Sequence, residues 1–221
     1  MTARQPAKPS PAAPSGRRLP LGLILGGVFT VLLIVTVFLT LGNDGSTAGD
    51  VSALPDEYGT PTVDGALPQL DDSGEDPAIG TAAPVVAGAD FDGTPVSITS
   101  DGRAKVVLLV AHWCSFCRNE VPWVSEWLET TGTPDGVDFY GVATAIDRNQ
   151  VNWPPSAWLD REGFSAPVLV DDRSNSIANA FGLPAYPYWV FIDAEGNIAA
   201  RLSGGISAAV LDEIVASLAQ A

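Results

Sequence analysis

The chain has 221 residues, of which 46% are apolar, with a formal charge of −15, two cysteines and a single histidine. So acidic a chain lacks the clustered Lys and Arg that neutralise phosphates, and no nucleic-acid partner is expected. Two cysteines exclude multi-bridge scaffolds, and Cys114, Cys117 and His112 together give at most three metal donors crowded into six residues, so neither a metal nor another cofactor is expected.

Residues 1–20 carry Arg4, Lys8, Arg17 and Arg18, five prolines and no acid, and read as a disordered cytoplasmic tail. Leu21–Leu41 holds 21 residues without a charge, and at about 1.5 Å per residue such a helix spans the roughly 30 Å of a bilayer core. A transmembrane helix over 21–41 is therefore expected, with cleavage near Ser46-Thr47-Ala48 as the alternative. All four basic residues near the span precede it and the next is Arg103, so the positive-inside rule predicts a cytoplasmic N-terminus and an extracytoplasmic C-terminal domain. Residues 42–78, acidic and rich in Pro and Gly, read as a linker without a packed core. A flexible chain of that length reaches roughly 30–35 Å.

From residue 79 onward, strand and helix patterns alternate. Phe91–Ile98 resembles a hairpin turning at Asp92-Gly93, and Lys105–Ala111 reads as a strand buried on both faces. Apolar residues at helical spacing (Val121, Val124, Leu128; Trp123, Trp127) predict a helix kinked by Pro122. Strand 138–146, helix 155–162, strand 167–170 and helix 174–181 follow. After them come strands 188–192 and 197–202 around a turn at 193–196, and a last amphipathic helix over 207–218. The alternation implies an α/β fold with a central sheet flanked by helices.

The chemistry-bearing segment, Trp113-Cys114-Ser115-Phe116-Cys117, lies where the first buried strand meets its helix. Cys114 is expected at the helix N-terminus with its side chain exposed, where free amides and the helix dipole favour a thiolate, the species that attacks disulfides. A structural disulfide is the alternative, but closing so short a loop stabilises by only about 2 kcal/mol. Without exchange chemistry the domain would be an anchored binding or assembly module. Glu120, one helical turn past Cys117, is a candidate internal acid if buried and a solvated helix residue if not. His112 is expected to be a partly exposed strand-end residue.

The run Trp113-Cys114-x-x-Cys117-x-x-Glu120-x-Pro122, with Pro187 six residues before the turn-opening Asp193, resembles the TlpA/ResA-like branch of the thioredoxin superfamily over residues 79–221. The resemblance implies a thioredoxin-like fold with a mixed sheet, and thiol-disulfide exchange with protein disulfide or dithiol clients through a Cys114–Cys117 redox disulfide. It makes Cys114, Cys117, Glu120 and Pro187 catalytic, with Pro187 preceded by a cis bond, and Trp113 and Tyr186 client-contacting. It further implies a monomer, fed by a membrane thiol electron donor, that works as a reductase, with oxidase or isomerase as the alternative. Ser115-Phe116 replaces the family's frequent Pro-containing dipeptide, Tyr186 its common Thr, and Leu108 the buried Asp of thioredoxins. The peroxiredoxin motif is absent from Val110-Ala111-His112-Trp113.

Overall fold

A computed structural model describes residues 57–71 and 74–220. The expected tail 1–20, the expected membrane helix 21–41 and the first part of the expected linker lie outside these residues. Among the described residues, no helix is long and apolar enough to cross a membrane.

The central strand β4 (Ala104–Val110) is buried along its whole length, as a continuous apolar run requires when both faces of a sheet are covered. It pairs in parallel with β5 (Val137–Ala143), which pairs in parallel with β6 (Val168–Val170). On its other side β4 pairs antiparallel with β7 (Tyr188–Ile192), and β7 with β8 (Ile198–Ser203). The resulting order β6-β5-β4-β7-β8 is the expected mixed sheet.

The pleat of β4 sends alternate residues into two cores. Val106, Leu108 and Val110 face a cluster with Cys117, Val121, Trp127, Trp158, Trp189, Leu211 and Val215. Apart from Trp189 of β7, these side chains come from three helices on one face: α1 (Ser115–Thr130), α2 (Pro155–Arg161) and α4 (Ala208–Leu218). Helix α1 runs on through Pro122. Val107 and Leu109 face the other cluster, with Val86, Ile98, Ile177, Phe181 and Val190. That face is covered by α3 (Ser176–Ala180) and by a three-stranded antiparallel sheet of β1 (Thr62–Asp64), β2 (Val85–Ala89) and β3 (Pro95–Ile98).

Two expectations are corrected here. The first strand of the hairpin lies at 85–89 rather than from Phe91, and the turn is Asp90–Thr94, where Asp90 Oδ1 accepts the Asp92 and Thr94 amides. The linker does not extend to residue 78, because residues 57–71 and 74–78 belong to the folded unit. Leu67 and Ala78 are buried in the second core, and Asp76 forms an ion pair with the fully buried Arg201 of β8. Tyr58 donates to the Ile146 carbonyl (2.5 Å), Glu57 accepts from the Ser156 amide (2.9 Å), and Gly59 N–H donates to the Asp171 carbonyl (2.9 Å). Gly59 has no room for a side chain, since a Cβ there would lie 2.0 Å from the Val170 carbonyl oxygen. An acidic, proline-rich composition argues against an independent core, but not against lying on one that another segment provides.

Candidate active site

The three parallel strands β4, β5 and β6 end on the same edge, and β4 hands over there to α1. Cys114 is the N-cap of α1, with extended backbone and no side-chain cap; its carbonyl accepts from Arg118 N–H (3.1 Å), and no acidic residue stands in the helix's first turn. The free amides of that turn therefore lie at Cys114 with no acidic side chain among them. Cys117, one turn on, is 0% exposed. Both are free thiols. Burial pushes the Cys117 thiol well above its ordinary range, and the neighbouring Cys114 and Glu120 add to that rise.

Cys114 is only 9% exposed, less than its helix-end position implies, because the loop before β7 covers it. The Cys114 thiol points at the Tyr186 carbonyl (Sγ to O, 3.7 Å), and the Tyr186–Pro187 bond is cis, as the resemblance implies. The Tyr186 ring meets Trp113 edge to face at 6.0 Å, while Trp113 Nε1 donates to the Ala145 carbonyl (2.7 Å). Phe116, between the cysteines, is 65% exposed. Thus Cys114, Trp113, Tyr186 and Pro187 form one rim with Cys117 beneath it.

Glu120 is buried, with 5% exposure, which resolves the choice between internal acid and solvated residue. Its carboxylate accepts three N–H groups: Ile206 amide (2.8 Å) and Trp189 Nε1 (3.2 Å) on Oε1, and Trp123 Nε1 (3.2 Å) on Oε2. Burial raises its pKa against the opposing pull of these donors. The sequence reading missed all three partners. Trp123, three residues along α1, carried a detectable helical-spacing signal, whereas Trp189 and Ile206 are brought in by tertiary structure alone.

His112 is corrected from partly exposed to 1% exposed. Its Nδ1 donates to the Val151 carbonyl (2.7 Å) and its Nε2 accepts from the Asp147 amide (3.2 Å), which assigns the neutral tautomer. Burial lowers its pKa. With both nitrogens committed to the 147–151 loop, His112 is a structural clasp and is not free to support the thiolate. A cleft of about 660 Å³ opens between the β2–β3 turn and α2, but its lining includes no redox-site residue. Attack on a disulfide needs an accessible sulfur edge rather than an enclosed cavity.

The sequence pattern of the Redoxin family matches residues 78–213. The thiol-disulfide oxidoreductase ResA of Geobacillus thermodenitrificans is 28% identical over 129 residues, covering 58% of this chain and 70% of that protein. A thiol:disulfide interchange protein of the thioredoxin family from Chlorobium tepidum is 30% identical, with a TM-score of 0.52 over 62% of this chain and 95% of that one. A DsbF homologue from Corynebacterium diphtheriae shares the fold at 19% identity, with a TM-score of 0.53 over 70% of this chain and all of that one.

Proposed function

We propose, from the premise that the chain belongs to the Redoxin family as a ResA-like thiol-disulfide oxidoreductase of the thioredoxin superfamily, that it reduces disulfides in protein clients outside the cytoplasm. The observation that carries this reading is the layered pair: Cys114 at the rim under the Tyr186–Pro187 loop, and Cys117 buried beneath it, one helical turn before the buried Glu120.

The Cys114 thiolate attacks a client disulfide; a Cys114–client S–S bond forms, the client's S–S bond breaks, and one client sulfur leaves and takes a proton from water. Cys117 Sγ–H then gives its proton to Glu120 and attacks Cys114 Sγ. The Cys114–Cys117 bond forms, the mixed disulfide breaks, and the second client sulfur leaves as a thiolate that takes up the proton held by Glu120. The client gains two electrons and two protons, and the enzyme becomes the disulfide. Trp113 and Tyr186 flank the attacking sulfur and contact the client, while the backbone at Pro187 aligns it. A thiol donor at the membrane restores the dithiol.

Burial and Glu120 both disfavour ionisation of Cys117, which keeps the second sulfur a thiol until the mixed disulfide has formed. Anchoring by a single pass, with this domain extracytoplasmic, is supported by the uncharged run Leu21–Leu41 and the basic residues confined to its N-terminal side.

Equilibrating the full chain with glutathione tests the direction: a potential near about −270 mV supports the reductase, and one near about −120 mV overturns it. Insulin-disulfide reduction by wild type but not by Cys114→Ser tests turnover. A reporter fused after Ala221 that is active only outside the cytoplasm tests the topology.

A further inference from the structure

The carboxylate of Glu120 is gripped from three elements at once. Trp123 reaches it from α1, Trp189 from β7, and the Ile206 amide from the loop between β8 and α4. The two indoles stack on each other, with centroids 6.3 Å apart and planes at 26°, so each ring fixes the other's orientation and both N–H groups converge on one acid. Gly205 closes the fourth side, where a Cβ would lie 2.9 Å from Oε2. The same loop continues to the client-facing strand end, since Gly204 N–H donates to the Pro187 carbonyl (2.8 Å).

We propose that Trp123 and Trp189 are positioning residues for the resolving step: their indole N–H groups, with Gly205 keeping the space open, hold the Glu120 carboxylate in the orientation that receives the Cys117 proton. The proposal rests on the exchange reading above. A buried carboxylate left to itself rotates, and its lone pairs then point away from the thiol for much of the time. Three N–H donors in different directions remove that freedom and leave one outlet for a proton. The titratable group that feels the Glu120 charge is Cys117, one helical turn before it; β7 and the 203–206 loop bring N–H dipoles to the carboxylate.

The test uses the full chain with Trp123→Phe, Trp189→Phe and Gly205→Ala, each made in the wild type and in Glu120→Gln. Phe keeps the stacked ring and deletes only the donor. Gly205→Ala displaces the carboxylate from the opposite side and leaves both indoles intact, so the proposal stays testable if the fully buried Trp189 does not tolerate change. The readouts are the pH profile of Cys117 alkylation and the pH profile of insulin reduction, with thermal melts alongside. Loss of one donor leaves the carboxylate less stabilised, so the Glu120-linked step of the alkylation profile moves up by about half a pH unit, and insulin reduction slows about threefold. In the Glu120→Gln background the same substitutions change neither profile. Equal shifts with and without Glu120, or none in either, overturn the proposal. Absence of insulin reduction by the wild type overturns the exchange reading instead, and the alkylation profile still decides the indoles.

Discussion

Replacing Asp76 by Asn tests whether the segment ahead of residue 79 belongs to the fold. Arg201 has 0% side-chain exposure and Asp76 12%; Nε donates to Oδ2 at 2.8 Å and Nη2 to Oδ1. The remaining Arg201 donor bonds run to the Pro68 (2.9 Å) and Phe181 (3.0 Å) carbonyls, so the guanidinium ties three segments together. Asn keeps the volume but leaves a buried positive charge without its counter-ion, a loss of about 3–5 kcal/mol. For a domain of this size each kcal/mol lowers the melting temperature by about 2–4 °C, so a fall of roughly 6–20 °C is expected in calorimetry of the full chain. The pH dependence has a definite sign. Hydrogen bonding from Arg201 holds the Asp76 carboxyl below its ordinary value, so its contribution is complete above the unfolded pKa of about 3.9 and disappears as pH falls through the folded one. The gap between wild type and variant therefore closes on acidification below about pH 4. A shift under about 2 °C at neutral pH, the size expected of a solvated surface pair, would refute the reasoning.

A chain starting at residue 79 loses β1, Leu67 and Asp76 together and melts well below one starting at residue 57, as paired circular-dichroism melts will show. In the reduced protein Cys114 alkylates at least tenfold faster than Cys117 at neutral pH, because Cys117 is both buried and held as a thiol; peptide mapping after brief iodoacetamide treatment reads this out. Glu120→Gln lowers the pH midpoint of Cys117 alkylation, since a nearby carboxylate no longer opposes a second negative charge. His112→Ala costs about 2–3 kcal/mol by orphaning the Val151 carbonyl and Asp147 amide, yet leaves the reduction potential unchanged. Because burial depresses the His112 pKa, the contribution of this residue is complete above the unfolded value of about 6.5 and is lost as pH falls below it, which denaturant titrations at pH 7.5 and 5.5 will detect.

What could be read in advance was encoded at short range. The strand at 104–110, the Cys114 helix end, the Pro187 loop and the turn at 193–196 each announce themselves within about ten residues, through an apolar run, a fixed spacing or a turn dipeptide. The Asp76–Arg201 pair joins residues 125 positions apart, and nothing local in an acidic, proline-rich stretch signals a buried partner so distant. His112 failed for a related reason. A histidine at a strand end is exposed unless a later loop returns to cover it, and here residues 147–153 do so. Glu120 was identified from its spacing to Cys117, but its indole and amide partners arrive from β7 and the loop before α4.

The pleat of β4 has a consequence for how this sequence can change. Leu108 shares its core with Cys117 and Trp189, whereas Leu109, its immediate neighbour, touches only the opposite cluster. The strand works as a partition: errors of volume on the hairpin side must cross a hydrogen-bonded backbone before they disturb the thiols. The hairpin side is thus a region where residues can be exchanged in compensating groups, raising or lowering thermal resistance while the surroundings of the two thiols stay the same. The thiol side has no such latitude, and drift there retunes chemistry and stability together.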